Sequence, residues 1–178
     1  MKLYKRCTFI LGGARSGKSR LAQEMATKVQ SVLFVATAEP LDVEMRVRIS
    51  EHRRTRPGGW RTVEAPTGVG AAIVREHRGE EVVVVDCLTL LISNLFTRNG
   101  PKECSQAEVD AEVDELVRAI DTVEADFIIV SNEVGLGLVP DNPLGRTYRD
   151  ALGKVNHALA ARAGEVFFMV AGLPLKIK

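Results

Sequence analysis

The stretch Gly12-Gly13-Ala14-Arg15-Ser16-Gly17-Lys18-Ser19 decides the fold. It fits G-x-x-x-x-G-K-[ST], a loop that wraps phosphate groups between a strand and a helix. Its flanks agree with that reading. Upstream, Cys7-Thr8-Phe9-Ile10-Leu11 is a short apolar run that reads as a buried strand. Downstream, Leu21, Ala22, Met25 and Val29 recur at helical spacing, so the loop feeds a helix N-terminus. Unpaired N–H groups and the helix dipole favour an anion there. The glycines let the backbone close around a phosphate, Lys18 reaches the terminal phosphates, and the Ser19 hydroxyl can ligate Mg²⁺.

Outward from the loop, strand-like and helix-like runs alternate. Ser31 to Ala36 reads as a second strand, and Leu41 to Arg54 as a charged helix stopped by Pro57-Gly58-Gly59. Trp60 to Glu64 suits a short strand and Gly70 to His77 a helix. Glu81 to Val85 is a near-continuous valine run ending in Asp86, and a run without polar alternation implies a strand covered on both faces. Leu88 to Phe96 suits a helix, followed by a loop at Arg98-Asn99-Gly100-Pro101. Val109, Val113, Leu116, Val117 and Ile120 stripe an amphipathic helix. Asp126 to Ser131 is a further buried strand. Leu144, Tyr148, Leu152, Val155 and Leu159 stripe a long helix, Val166 to Val170 gives another strand, and Pro174 to Ile177 a short edge strand at the C-terminus. Repeated βα units predict an α/β fold with a mainly parallel sheet flanked by helices.

At 178 residues the chain reads as one domain spanning 1–178. Its 46% apolar and 26% charged residues are ordinary for a globular protein. A net charge of +1 argues against a chain-wide grip on nucleic acid. Cys7, Cys87 and Cys104 form no C-x-x-C pair, so neither a disulfide framework nor a zinc site is suggested. With no apolar stretch approaching membrane length and no signal peptide, the expectation is a cytoplasmic protein without membrane insertion.

Asp86 stands at the C-terminal end of a buried strand, where ligands of open α/β sheets bind. It is either a metal ligand beside Ser19 or a cap for the following helix. Arg46, Arg48, Arg53, Arg54, Arg56 and Arg61 crowd around His52. At 100° per residue Leu41, Met45 and Ile49 share a helical face with His52 at its middle. His52 is either a part-buried structural histidine or a nucleophile towards phosphorus, with arginines neutralising the polyphosphate. His77 and His157 read as structural. Ser131 to Pro140, polar and then glycine-rich after a strand, is either an active-site loop or an ordinary turn.

Taken in order, several segments resemble the bifunctional adenosylcobinamide kinase / adenosylcobinamide-phosphate guanylyltransferase family. They are the loop 12–19, Ala36-Thr37-Ala38, Glu44-Met45-Arg46-Val47-Arg48-Ile49, His52, Arg56-Pro57 and Trp60-Arg61-Thr62-Val63-Glu64. Asp86-Cys87-Leu88-Thr89, Asn94-Leu95, Val130-Ser131-Asn132-Glu133-Val134-Gly135 and Lys176-Ile177-Lys178 complete the set.

The resemblance implies two reactions at one nucleotide-binding region. ATP or GTP phosphorylates the aminopropanol hydroxyl of adenosylcobinamide; then GMP passes from GTP, through a covalent histidine, to adenosylcobinamide phosphate. It implies His52 as the guanylylated residue and Lys18 as catalytic. Nucleotide contacts would fall on Gly12, Gly13, Ala14, Arg15, Ser16, Gly17, Lys18, Ser19, Ala36, Thr37, Ala38, Arg53, Arg54, Thr55, Arg56, Glu64 and Asp86, with Ser19 and Asp86 on Mg²⁺. It also implies a RecA-like P-loop fold and a homotrimer. Some members carry two adjacent histidines where this chain has Glu51-His52, which leaves one candidate nucleophile. Met1 to Lys5 extends beyond the family's usual start.

Overall fold

Apolar runs without polar alternation need cover on both sides, and the chain supplies it unequally. The computed structural model describes residues 7–98 and 105–178. The Met1–Lys5 extension, Cys104 and the loop expected after Arg98 lie outside the described residues. In chain order the elements are β1 (Cys7–Gly12), α1 (Lys18–Ala26), β2 (Val32–Ala36), α2 (Val43–Arg54), β3 (Arg61–Glu64), α3 (Val69–Glu76) and β4 (Val82–Asp86). Then come α4 (Leu88–Arg98), α5 (Gln106–Thr122), β5 (Asp126–Val130), α6 (Pro143–Arg162), β6 (Glu165–Val170) and β7 (Leu173–Lys176).

Among the described residues the strands form one seven-stranded sheet in the order β3-β2-β4-β5-β1-β6-β7. All pairings are parallel except β6 with β7, so the expected C-terminal edge strand is present and runs antiparallel. Helical crossovers are what parallel neighbours require.

Alternation along the strands divides the core. Phe9, Leu33, Val35, Val83, Val85, Phe127 and Ile129 point to one face, where Ile73 of α3, Leu91 of α4, Leu116 of α5 and Leu152 of α6 meet them. Ile10, Val32, Phe34, Val84, Ile128 and Val130 point to the other, where Ala22 and Ala26 of α1 cover them. Each large side chain so buried contributes about 1.5–3 kcal/mol relative to exposure. Gly70 sets the closest approach of α3 to α5: a Cβ there would stand 2.3 Å from the Glu115 backbone, so Gly70→Ala would force the helices apart.

Helix α2 differs from the rest, for none of its residues is buried. It begins two residues later than the sequence suggested, because the Asp42 carboxylate accepts from the Met45 N–H at 2.7 Å and fixes the start at Val43. Leu41 therefore precedes the helix, is 70% exposed, and does not share the face of Met45, Ile49 and His52.

Candidate active site

The strands β1, β2, β4 and β5 end on the same side of the sheet, and a cavity of about 960 Å³ opens there. The loop leaving β1 forms its floor. Gly12 has φ 149° and its Cβ would stand 2.6 Å from the Met169 carbonyl; Gly17 has φ 93°. Both values favour glycine, so this turn tolerates little else at those positions. Lys18, the first residue of α1, is buried, and its Nζ donates to the Gly13 carbonyl at 2.6 Å. Burial holds its pKa below the ordinary lysine value; Cys87 and Asp86 push it back up, and Arg48 lowers it further.

Asp86 closes the opposite wall. Among the described residues its Oδ2 is buried without a hydrogen-bond partner, as is the Ser16 Oγ in the loop. Buried polar atoms without partners carry a desolvation penalty, so both are poised for a ligand. Two groups of this kind in one cavity, with Ser19 also on its wall, fit a magnesium–phosphate ligand. Mg²⁺ keeps waters and takes phosphate oxygens, so few protein oxygens suffice. The Cys87 thiol beside Asp86 is pushed up to about 11 by burial and by that carboxylate's charge.

The third wall is α2. Met45, Ile49 and His52 are half-buried against the cavity, while the rest of the helix is exposed. His52, Arg53 and Arg54 sit in the last turn, where the helix dipole favours positive charge. Arg53 pairs with Glu64 at the end of β3, tying α2 to the sheet edge. The Arg56 guanidinium lies 3.7 Å above the Phe34 ring, which in turn stacks on Trp60. Burial lowers the Arg56 pKa, Asp86 raises it, and its Nε is buried without a partner among the described residues. A second cavity of about 420 Å³ lies beyond Arg53, Arg56 and Glu64, bounded by Trp60 and Gly58.

The structure thus brings Arg15, Ser16, Gly17, Lys18, Ser19, Ala36, Ala38, His52, Arg53, Thr55, Arg56, Glu64 and Asp86 to one cavity wall. Gly12, Gly13, Ala14, Thr37 and Arg54 are not part of that lining. Thr37 is fully buried, and its hydroxyl both donates to the Cys87 carbonyl and accepts from the Cys87 N–H, each at 2.8 Å. Asn132 joins the lining from the loop after β5, and Gln23 joins it from α1. Helical spacing from Ser19 was the only signal for Gln23. Glu133 turns inward on its own loop, accepting from the Gly135 N–H at 2.6 Å. His77 contacts the Glu80 carbonyl at 2.9 Å, His157 is exposed, and neither is part of the cavity lining.

A parallel sheet whose strand ends surround a basic cavity, with G-x-x-x-x-G-K-S at its floor, is the architecture of a nucleotide-using transferase. A family model described as cobinamide kinase / cobinamide phosphate guanyltransferase matches residues 8–177. The chain belongs to that family, and is therefore a bifunctional kinase and guanylyltransferase. It is 40% identical over 177 residues to the bifunctional adenosylcobalamin biosynthesis protein CobU of Escherichia coli, covering 95% of this chain and 98% of that one. It is 43% identical over 170 residues to the protein of the same description, CobP, of Pseudomonas aeruginosa, covering 95% of each. With CobU of Salmonella typhimurium it shares 37% identity over 177 residues, 95% of this chain and 98% of that one.

Proposed function

We propose that a single domain of RecA-like P-loop type, spanning 1–178, carries out both transfers in adenosylcobalamin biosynthesis at the cavity above the β-strand ends. In the first, the aminopropanol hydroxyl oxygen of adenosylcobinamide bonds to the γ-phosphorus of ATP or GTP, and the bond to the β,γ-bridging oxygen breaks. Lys18 and the loop amides of residues 12–19 hold the phosphates and take up the charge that develops on the nucleoside diphosphate. Ser19 and Asp86 would hold Mg²⁺, which when bound neutralises phosphate charge.

In the second, an imidazole nitrogen of His52 bonds to the α-phosphorus of GTP and pyrophosphate departs, leaving a phosphoramidate. A phosphate oxygen of adenosylcobinamide phosphate then displaces the imidazole and yields adenosylcobinamide-GDP. Arg53 and Arg56 offset the charge of the departing pyrophosphate, while Arg54 and Thr55 complete the basic turn. Ala36, Ala38 and Glu64 line the nucleoside end.

The observation that carries this reading is the convergence on one cavity of Lys18, Ser19, an unpartnered Asp86 oxygen and His52. Attack at two different phosphorus atoms requires the nucleophile to sit outside the loop and to approach it. The segment between Pro40 and Gly58-Gly59 shifts as a unit in this reading, which suits a helix with no buried residue. No described helix is long and apolar enough to cross a membrane. We propose a homotrimer on the resemblance, and a cytoplasmic location on cysteines that form no C-x-x-C pair.

The test is incubation with Mg²⁺ and GTP labelled at the α-phosphate, followed by denaturing separation. Wild type should carry an acid-labile, base-stable label, and His52→Ala none, while His52→Ala keeps measurable kinase activity. Absence of label from wild type under conditions where nucleotide binds would rule out the covalent histidine and leave His52 structural. A label retained by His52→Ala would move the nucleophile elsewhere.

A further inference from the structure

The segment that carries His52 leaves the sheet at Thr37 and returns past β3 to Pro66. Both ends of it meet one side chain from another layer. Asn94 of α4 is 4% exposed, and its Nδ2 donates to the Thr37 carbonyl at 2.8 Å and to the Pro66 carbonyl at 2.9 Å. Its two amide hydrogens are thus used on the two roots of one excursion, residues 38–65. The first root is fastened again by the Thr37 hydroxyl, which makes reciprocal 2.8 Å bonds with the Cys87 backbone next to Asp86. The Thr37 N–H also donates to the Asp86 carbonyl at 3.2 Å. A chain of hydrogen bonds therefore runs from Pro66 through Asn94 and Thr37 to the backbone of Asp86.

Nothing in the packing of α4 asks for an amide here. Leu88, Leu91, Ile92 and Phe96 on the same helix are buried apolar residues, and an amide among them is stable only because both donors are satisfied. The sheet ladder already pairs β3 with β2, so the bridge is not needed to form the strand pair. What it adds is the placement of the α2–β3 excursion relative to Asp86 and the loop 12–19.

We infer that Asn94 is a positioning residue for GMP transfer: it fixes both roots of the His52-bearing segment against the phosphate end of the cavity. The inference rests on the two-reaction reading proposed above. It separates the two activities, because phosphoryl transfer draws on β1, α1 and β4, whereas GMP transfer also needs α2 at the right place. Asn94 itself is not part of the cavity lining.

The test uses Asn94→Leu, which keeps the side-chain shape and removes both donors, and Asn94→Ala as a second variant. Melting temperature and circular dichroism establish that each is folded. Kinase turnover and the rate of His52 labelling from α-labelled GTP are then measured on the same preparations. Misplacing a reacting group by about 1 Å costs roughly a hundredfold. Labelling should accordingly fall roughly tenfold to a hundredfold, while kinase kcat and the KM for nucleotide stay within about threefold. Thr37→Ser, which keeps the hydroxyl, should retain the wild-type ratio of the two rates, and Thr37→Val should lower it. Equal loss of both activities in a folded Asn94 variant, or no loss of either, would overturn the inference by reducing Asn94 to a core contact. Failure of the underlying reading looks different, since wild type would then take no label at all.

Discussion

The loop after β1 and the helix after β2 face each other across one cavity, yet they are built in opposite ways. The loop is locked. Gly12 is pressed against the Met169 backbone, Lys18 is buried and bonded to Gly13, and α1 seats Ala22 and Ala26 in the core. Helix α2 buries no residue and is fastened by the Asp42 cap, the exposed Arg53–Glu64 pair and the two roots held by Asn94. Charge stabilisation is worth most where donors are fixed before the reaction. A nucleophile that must reach a phosphorus and then yield to an acceptor profits from an element that opens at little cost. On the proposed reading, the contrast divides one cavity between a rigid anion site and a hinged nucleophile.

The largest effect should come from the rigid half, because both reactions depend on it. Lys18→Ala should lower kinase turnover and His52 labelling together, each by about 10²–10³-fold, the loss typical of removing one fixed charge-stabilising donor. Steady-state phosphorylation and α-labelled GTP incorporation on the same folded preparation measure it. An unaffected kinase rate would remove the loop from its assigned role. Loss of one activity alone would mean two separate nucleotide sites and would dissolve the comparison.

A smaller, structural contrast should appear without any mutation. Amide hydrogens of α2 should exchange roughly ten- to a hundredfold faster than those of α1, since exposed helices with few buried contacts open locally. Hydrogen exchange read by mass spectrometry on peptides covering 18–26 and 43–54 tests this. GTP should slow exchange in 43–54 more than in 18–26. Equal protection of the two helices in the free protein would show that α2 is as firmly seated as α1.

Much of this division was legible in the chain. The eight residues 12–19 fix a strand, a turn and a helix start through glycine chemistry and period, and the valines before Asp86 declare a strand covered on both faces. The face of Met45, Ile49 and His52 follows from 100° spacing alone, and only Leu41 fell outside it, because the Asp42 cap sets the start of the helix. Strand order is different in kind. That β4 inserts between β2 and β5 depends on long-range pairing, which local periodicity does not encode. Asn94 and Thr37 are the clearest losses. Within Leu88 to Phe96 an asparagine carries no signal of the carbonyls 57 and 28 residues away that it serves. The resemblance offers Thr37 as a nucleotide contact, whereas its hydroxyl is spent on Cys87. Pairing of α2 with β3 through Arg53 and Glu64 was likewise invisible, since any arginine of that basic cluster could have served.

The smallest effect concerns what the rigid half costs when it is empty of nucleotide. Burial disfavours the Lys18 ammonium, so its folded-state pKa lies below the unfolded value of 10.5. Below both values the lysine is protonated in both states, and the folded protein bears the full desolvation penalty. As pH rises through the folded value towards 10.5, the unfolded chain binds more protons than the folded one, and this penalty disappears. Cys7 acts with the opposite sign. Burial raises its pKa from 9.0 to about 11, so the stability it lends is complete below 9.0 and is lost as pH rises through about 11. Comparing wild type with Lys18→Met cancels Cys7 and leaves the lysine together with its coupling to Cys87. The Lys18→Met protein should therefore be more stable than wild type at pH 7.5 without nucleotide, by about 0.5–2 kcal/mol, the range common for one stabilising substitution. The difference should shrink steadily towards pH 10.5. GTP should reverse the order at neutral pH, because only wild type binds its phosphates well. Thermal melts of both proteins across that range, with and without nucleotide, measure this. A stability gap that does not change with pH would mean that methionine gains by packing alone, and that the buried ammonium is not the strain stored in the loop.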